Sequence, residues 1–358
     1  MITPCMGTLM DLLSEVLRVV RLTGAIHLRG EFTEPWAFLS TPPELLAARY
    51  NLPEGEVSQF HVFVEGNCWV SAGKLAPVRM ETGDVVIFRR PEQYIMASDM
   101  GVTPVPIKEI FAQPSREQIT DLKYGGPGRS ARFICGYLHF DHQFDPLLDS
   151  LPALLCVRSR AGEVILETWD KAGRWQHPLE HRQEAEWWQA SLRYLISETS
   201  AVGPGNRAVL ARLAESLFVQ VLHWQLRYAT QGRVGWLAGV HDPQIGRVLR
   251  LLHALPERPW TVDELAKEAA ISRATLAKRF VELVGQSPIQ YLANWRMHLA
   301  RQMLRESNLG IGEIAGRVGY ESEAAFNRAF RRLVGTPPAS WRHAENAPRR
   351  VTALSVRP

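Results

Sequence analysis

The chain has 358 residues, 46% of them hydrophobic, and a formal net charge of +4 at pH 7. This length is sufficient for two or three domains with separate hydrophobic cores. No run of 18 or more uncharged apolar residues occurs, which argues against a membrane-spanning helix. Residues 10–24 are amphipathic and interrupted by charges, unlike a signal peptide, so we expect a cytoplasmic protein with no membrane partner.

Short β-type runs separated by Gly, Pro and Asp occupy residues 25–168. Turn signals stand at Glu65-Gly66 and at Thr82-Gly83-Asp84. Because no helical pattern intervenes, we predict a small β-barrel or jelly roll. Examples of the predicted strands are Gln59–Val64, Asn67–Val70, Asp84–Arg89, Arg132–Phe140 and Val164–Trp169.

A closed barrel offers a pocket for a small organic effector. The candidate ligand-binding residues combine aromatic walls with polar groups that could orient a ligand. They are His61, Phe63, Trp69, Arg89 and Tyr94. Strand alternation directs only about half of such side chains inward, so the aromatic residues could instead form the core. The chemical class of the effector does not follow from the sequence.

Four scattered cysteines, Cys5, Cys68, Cys135 and Cys156, fit neither a disulfide framework nor a zinc site. Cys68 and Cys135 lie in predicted strands. An exposed thiol of low pKa could sense oxidants or electrophiles, which makes a redox-sensing regulator an alternative function. The other interpretation of both residues is that they are inert, small core side chains.

Two amphipathic helices are predicted after residue 171, at Glu184–Glu198 and Arg207–Tyr228, with a loop between them. The second helix has a long apolar stripe, formed by Leu210, Leu213, Leu217, Val221 and Trp224. This stripe either forms a homodimer interface or packs on the barrel of its own chain. Glycines at 232, 235 and 239 mark an interdomain linker.

The last hundred residues contain one pattern twice. Residues 272–288 (SRATLAKRFVELVGQSP) recur 50 positions later as residues 322–338 (SEAAFNRAFRRLVGTPP). Each copy places a serine at a helix N-cap position and a glycine where a helix ends. A short amphipathic stretch precedes each copy, at 261–269 and at 311–318. The pattern predicts a duplicated helix-turn-helix, whose second helices have the geometry of recognition helices in a DNA major groove.

In each predicted recognition helix an apolar stripe leaves the opposite face polar: Leu276, Phe280 and Leu283 recur at helical spacing in the first copy. Residues 288–306 between the copies predict a continuous helix that would hold the two reading heads apart. Charge agrees with this interpretation. Residues 241–358 carry 18 Lys plus Arg against 11 Asp plus Glu, whereas the preceding part carries 23 against 26.

Residues 241–343 resemble the DNA-binding domain of the AraC/XylS family of bacterial transcription regulators. The most specific segments are GYESEAAFNRAF and GTPPASWR. The resemblance implies that duplex DNA is a partner, that RNA polymerase is another, and that the positions expected to contact DNA are Arg273, Ala274, Thr275, Lys278, Glu323, Ala324, Asn327, Arg328 and Arg331. Arg328 is the strongest candidate for a base contact, whereas Arg331 is expected to meet a phosphate.

FHVFVEGNCWV and METGDVVIFRRPEQYIM resemble the cupin-like sensor domain of one AraC-type subfamily. Cupin enzymes usually supply two histidines and a carboxylate from one motif and a third histidine from the next. Here Phe63 stands at the second histidine position and Tyr94 near the third, leaving His61 with Glu65. We therefore expect no metal, cofactor or catalytic residue, and a cupin metalloenzyme fused to a DNA-binding domain is the alternative from another class.

The predicted fold class is α+β: a cupin-like sensor domain at 1–170, a helical hairpin for dimerisation at 171–230, a linker at 231–243, an all-α domain with two helix-turn-helix motifs at 244–343 and a disordered tail at 344–358. The predicted function is a sequence-specific transcription regulator, expected to be an activator, under the control of a small effector. The operator and the regulated genes do not follow from the sequence.

Overall fold

The computed structural model describes residues 6–19, 22–52, 55–89, 93–111, 118–140, 146–160, 163–170, 173–178, 182–201, 203–228 and 235–346. Cys5, the linker residues 231–234 and the predicted tail from residue 347 onward lie outside them. The chain divides into two compact units. The strand unit comprises Leu22–Gln143 and Leu151–Tyr228, and the helical unit comprises Met1–Arg21, Phe144–Ser150 and Ala229–Pro358. No helix among the described residues is long and apolar enough to cross a membrane.

The described strands are β1 (Leu22–Thr33), β2 (Ala37–Leu39), β3 (Glu56–Glu65), β4 (Asn67–Ala72), β5 (Val78–Glu81), β6 (Val85–Phe88), β7 (Tyr94–Ala97), β8 (Val105–Pro106), β9 (Thr120–Gly125), β10 (Ser130–Phe140), β11 (Leu154–Arg160), β12 (Glu163–Asp170) and β13 (Gly173–Pro178). The described helices are α1 (Met6–Val19), α2 (Pro43–Tyr50), α3 (Ile107–Ile110), α4 (Pro146–Ser150), α5 (Arg182–Glu198), α6 (Asn206–Tyr228), α7 (Trp236–His241), α8 (Pro243–Ala254), α9 (Val262–Glu268), α10 (Arg273–Val284), α11 (Pro288–Glu306), α12 (Ile311–Arg317), α13 (Glu323–Val334) and α14 (Pro338–Asn346).

The strand unit contains two sheets, which confirms the cupin-like fold class expected from the sequence. One sheet has the order β13-β12-β11-β6-β3-β10-β1-β9 and the other has the order β5-β4-β7-β2-β8. Both sheets contribute side chains to one core, in which Phe32, Trp36, Phe63 and Phe133 are at most 1% exposed. Aromatic rings and aliphatic side chains therefore fill the space between the sheets.

Strand β3 is buried on both faces because the core between the sheets covers one face and α5 and α6 cover the other. His61 and Phe63 point into the core between the sheets. Phe60 and Val62 point the other way, where they line a small apolar space with Leu217 of α6. The alternation of strand side chains thus decides which aromatic residues can reach the interior.

Helices α5 and α6 cover the outer face of the larger sheet. Phe140 and Phe218 meet there with their ring centroids 5.5 Å apart. On α6 the side chains of Leu217, Val221 and Trp224 are at most 6% exposed. Of the two roles considered for this apolar stripe, packing on the sheet of its own chain is the one observed. The stripe is therefore not available as a homodimer interface, which was the other role considered for it.

One buried cation, Arg158 on β11, joins β12 of the larger sheet and β5 of the smaller sheet to the turn before β6. Arg158 Nε donates to Glu167 Oε2 at 2.9 Å, and its Nη1 donates to Asp84 and to the Arg79 carbonyl oxygen. Burial raises the pKa of Asp84, and the neighbouring guanidinium opposes that shift. Removing Arg158 alone would leave two carboxylates in the interior without their cation.

The helical unit contains α7 to α14 and also α1 and α4, which come earlier in the sequence. Helix α1 packs on α8 and α11 and buries Leu12, Leu13 and Val16. Helix α4 packs on α7. Both segments fall in the range 1–170 that the sequence assigned to the sensor domain, and α7 falls in the range assigned to the linker. The physical reason is that α1, α4 and α7 bury apolar side chains against helices distant in sequence.

The duplicated motif folds into two helix-turn-helix units with the predicted caps. Ser272 Oγ accepts the Thr275 backbone N–H and Ser322 Oγ accepts the Ala325 backbone N–H. Gly285 and Gly335 end the two recognition helices in the left-handed conformation, with φ of 82° and 91°. The prolines expected to prevent helix continuation also begin α11 and α14, since the first helical position needs no N–H donor.

The two turns differ in length and in strain. Four residues separate α9 from α10, and five residues separate α12 from α13. The left-handed residue of the first turn is Ala270, with φ of 56°, whereas the second turn uses Gly319, with φ of 80°. An alanine in this conformation costs roughly 1 kcal/mol that a glycine does not. The first turn is therefore the more strained of the two.

We predict that Ala270→Gly raises the free energy of unfolding of the helical unit by about 0.5–1 kcal/mol, because relief of the left-handed strain exceeds the added chain entropy. Gly319→Ala should lower it by more than about 1 kcal/mol, since a Cβ there would lie 2.4 Å from the Glu257 carbonyl oxygen. Urea unfolding of the full chain, followed by circular dichroism, measures both. A lower midpoint for Ala270→Gly would show that the turn is not strained.

Candidate functional site

The first recognition helix, α10, buries one face and exposes the other. Leu276 and Phe280 have no exposed surface. Arg273, Ala274, Thr275 and Lys278 are exposed, as is the N-cap Ser272. All four positions expected to contact DNA on this helix are therefore accessible.

The second recognition helix, α13, repeats this arrangement. Phe326 and Phe330 are fully buried in a core that also contains residues of α11 and α12. Glu323, Ala324, Arg328 and Arg331 are exposed, and Asn327 is half-buried. The predicted contact residues of each motif are thus exposed or half-buried on the helix that carries them.

The cations of the two helices differ in their partners. On α10, Arg273 lies 3.2 Å from Asp263 and Lys278 lies 3.8 Å from Glu282. On α13, the side chains of Arg328 and Arg331 make no hydrogen bond or ion pair with any residue that the structure describes. Arg328 and Arg331 can therefore bind an anion without first breaking an ion pair with another described residue.

Arg279 is an α10 cation with a structural role that the sequence did not reveal. Its guanidinium contacts Gln244 and Asp242, and Asp242 is also the N-cap of α8. These partners lie 35 and 37 positions away in the sequence, and the local signal near them is the Asp-Pro pair that begins α8.

In the strand unit, His61 and Tyr94 belong to a chain of buried hydrogen bonds. His61 Nε2 is 2.6 Å from Tyr94 Oη, and Tyr94 donates to Gln59 Oε1 at 3.0 Å. His61 Nδ1 is 3.0 Å from Cys135 Sγ. Burial lowers the pKa of His61 to about 3, so its ring is neutral near pH 7. The directions then follow: the Cys135 thiol donates to Nδ1, and the Nε2–H donates to Tyr94.

These groups line a cavity that is small. Its volume is about 40 Å³, whereas pockets for drug-sized ligands measure roughly 300–1,000 Å³. His61 and Tyr94 are among its lining residues. Phe63 is fully buried core, Trp69 is half-buried on β4, and Arg89 does not line the cavity. The structure therefore brings together two of the five residues predicted to bind a ligand.

The thiols are buried within the core. Cys68 and Cys156 have no exposed surface, and Cys135 is 4% exposed. Burial raises the pKa values of Cys68 and Cys135 far above the usual range of thiols. Neither cysteine has the exposed, low-pKa environment that the redox-sensing alternative requires.

The residues at the cupin metal position do not fit an iron or zinc site. Both ring nitrogens of His61 are hydrogen-bonded to protein groups, and Phe63 offers no donor atom. Glu65, the possible carboxylate ligand, is exposed and forms an ion pair with Arg132. Among the described residues, no group of three or more His, Cys, Asp or Glu side chains could hold a metal ion.

The chain is similar to two families and to several named proteins. Residues 11–170 and 175–227 match the family described as Cupin, and residues 265–344 match the family described as Helix-turn-helix domain. An AraC-like transcription regulator of Streptomyces lividans is 32% identical over 304 residues, which are 84% of this chain and 91% of that protein. The HTH-type transcriptional activator RclR of Escherichia coli (strain K12) is 28% identical over 303 residues, 83% of this chain and 90% of that protein.

Among solved structures, the DNA-binding domain of AdpA in complex with a target DNA is 38% identical. The match covers 29% of this chain and 92% of that structure, with a TM-score of 0.27.

We predict that the buried thiols are unreactive in the native protein. In a Cys5→Ser variant at pH 8, Cys68, Cys135 and Cys156 should react with Ellman's reagent about a hundred-fold more slowly than in denaturant, because burial disfavours the thiolate and blocks access. Raising the pH to 9 should leave them slow. Fast reaction of one native thiol would restore the redox-sensing alternative.

Proposed function

The chain belongs to the AraC-like family of transcription regulators and carries an amino-terminal cupin domain, and we propose that its two recognition helices bind successive major grooves of duplex DNA. The observation that carries this proposal is the repetition of one surface: α10 and α13 have the same caps, bury the same kind of stripe and expose a polar face. Such helices are the reading elements of helix-turn-helix proteins.

The spacing of the two reading elements supports the proposal. Helix α11 joins the two motifs and has 19 residues, which corresponds to a length of about 28 Å. Successive major grooves on one face of DNA lie about 34 Å apart. Leu292, Trp295 and Leu304 are buried along this helix, so neighbouring helices hold it in place.

We assign base contacts and phosphate contacts separately. The proposed base-reading positions are Arg273, Ala274, Thr275, Lys278, Glu323, Ala324, Asn327 and Arg328. The alanines can offer only apolar contact, for example to a thymine methyl group, while the arginines can donate two hydrogen bonds to guanine. Arg331 lies toward the end of α13 and is assigned to a phosphate.

The ion pairs described above indicate that the two motifs contribute unequally to DNA affinity. Arg273 and Lys278 must exchange carboxylate partners for DNA, whereas Arg328 and Arg331 need not. We therefore expect α13 to supply more of the salt-dependent affinity, which arises from neutralised phosphates and released counterions.

The experiment is selection of bound sites from random duplexes by the full-length protein, followed by titration of variants on the selected site. We predict that Arg328→Ala weakens binding by about 1–3 kcal/mol and relaxes preference at one base pair. Arg331→Ala should weaken binding to all sequences alike and reduce the salt dependence of binding by about one counterion.

Arg317→Ala is the matched control, because Arg317 is exposed on α12 and pairs with Glu313 of the same helix. It should leave affinity and site preference nearly unchanged. Selection that recovers no enriched sequence, or an Arg328→Ala variant with unaltered preference, would contradict the assignment of α13.

We further propose that effector binding in the strand unit acts on DNA binding through α7. The Gly235 backbone N–H, at the start of α7, donates to the Leu283 carbonyl oxygen at the end of α10. Helix α7 also packs on α4, and α4 is followed within four residues by β11. A change in the strand unit that shifts α4 would therefore alter the support of the first recognition helix, by population shift between two arrangements.

A homodimer interface on the outer face of α5 is also proposed. Trp187 and Tyr194 lie seven residues apart on this helix and are 41% and 51% exposed. We predict that a Trp187→Ser/Tyr194→Ser double variant weakens dimerisation about ten-fold or more, measured by sedimentation equilibrium. Leu45→Ser, at another exposed apolar residue of the strand unit, is the control. A dimer of unchanged stability would exclude this face.

We propose activation rather than repression, through contact with RNA polymerase, because the relative RclR is named an activator. Transcription in vitro from a template with a selected site tests this: added protein should raise the yield of transcript. No catalytic step by the protein is part of the proposal.

A further inference from the structure

The strand unit has a groove of ligand size outside the space between its sheets. The groove has a volume of about 320 Å³, within the range of small-molecule sites, whereas the inner cavity has about 40 Å³. One wall consists of the Thr82-Gly83 turn and the end of β11. The other wall is a face of α5 formed by Gln189, Leu192, Arg193 and Ile196, whose spacing places them on one side of the helix.

The inner cavity is a poor site for an organic effector for a second reason. Its central polar groups, on His61, Tyr94 and Cys135, are hydrogen-bonded to one another or to Gln59. A ligand there would have to break these bonds and displace aromatic rings packed at interior density.

The groove, in contrast, combines an apolar floor with positive charge. Val64, Leu192 and Ile196 are apolar lining residues, and the charged lining residues are Arg160 and Arg193. No carboxylate is among the described residues that line it. Arg160 pairs with Glu81 at 2.9 Å, but the side chain of Arg193 makes no ion pair with any described residue. An arginine beside an apolar surface recognises a carboxylate attached to an apolar body.

We propose that this groove, which we call the α5 groove, binds a small organic carboxylate. Arg193 pairs with the carboxylate, and the apolar part of the ligand lies against Leu192 and Ile196. The proposal rests on the regulator function proposed above and names the chemical class of its effector. It also places the effector on α5, the helix whose opposite face carries Trp187 and Tyr194.

Calorimetric titration of the full-length protein with benzoate and octanoate tests the site, and benzyl alcohol and octan-1-ol serve as neutral controls. We expect the carboxylates to bind with millimolar or tighter affinity and the alcohols at least about ten-fold more weakly, because the charge-assisted pair with Arg193 is lost. Arg193→Gln should weaken carboxylate binding by a similar factor.

Two further variants make the test specific. Gln189→Glu places a negative charge in the groove at a half-buried position and should abolish carboxylate binding without disturbing the core. Arg182→Gln is the matched control, because Arg182 is exposed on the same helix, pairs with Glu186 and does not line the groove. It should leave binding unchanged.

The proposal is overturned if neither carboxylate binds, if the alcohols bind equally well, or if Arg193→Gln and Gln189→Glu leave the affinity unchanged. Binding of a selected DNA site is measured on the same samples. Intact DNA binding without carboxylate binding would remove the α5 groove proposal and leave the regulator function in place, whereas loss of DNA binding in the wild-type protein would contradict the regulator function itself.

Discussion

Burial of one apolar stripe on each recognition helix is the constraint on which the carboxyl-terminal architecture depends. Phe280 in α10 and Phe326 with Phe330 in α13 have no exposed surface, and a helix that buries these side chains must turn its remaining face outward. The serine caps and left-handed glycines then fix where each helix begins and ends. The exposed polar faces are therefore a consequence of packing, and the proposed DNA recognition uses the surface that the core leaves free.

The strand unit is packed differently, because its interior is filled by side chains and its space of ligand size is the groove beside α5. Phe32, Trp36, Phe63 and Phe133 pack between the two sheets, and the nearby polar groups of His61, Tyr94, Cys135 and Gln59 are hydrogen-bonded to one another. Helices α5 and α6 bury the opposite face of the larger sheet, and the groove beside α5 remains open. An effector at this groove would contact the helix proposed for dimerisation, which joins ligand binding and assembly in one element.

Segments distant in sequence, α1 and α4, pack on the helices that support the first recognition helix. Helix α1 packs on α8 and α11, and α4 packs on α7, whose first turn is bonded to Leu283 in α10. Arg279 adds a further support through Asp242, the N-cap of α8. The first motif therefore rests on more supporting contacts and holds Arg273 and Lys278 in ion pairs, while Arg328 and Arg331 of the second motif pair with no residue that the structure describes. This difference is the physical basis of the unequal roles proposed for the two motifs.

Local patterns in the sequence determined the duplicated motif, its caps and the limits of α11, because helical periodicity, N-cap serines and C-terminal glycines act within a few residues. They also determined that a strand-rich unit precedes it. Only the tertiary structure decided that the α6 stripe packs on its own sheet, that Phe63 is core while His61 bonds to Cys135 and Tyr94, and that Arg279 pairs with Asp242. These outcomes depend on which distant surfaces meet, and an amphipathic pattern specifies that a face will be buried without specifying its partner.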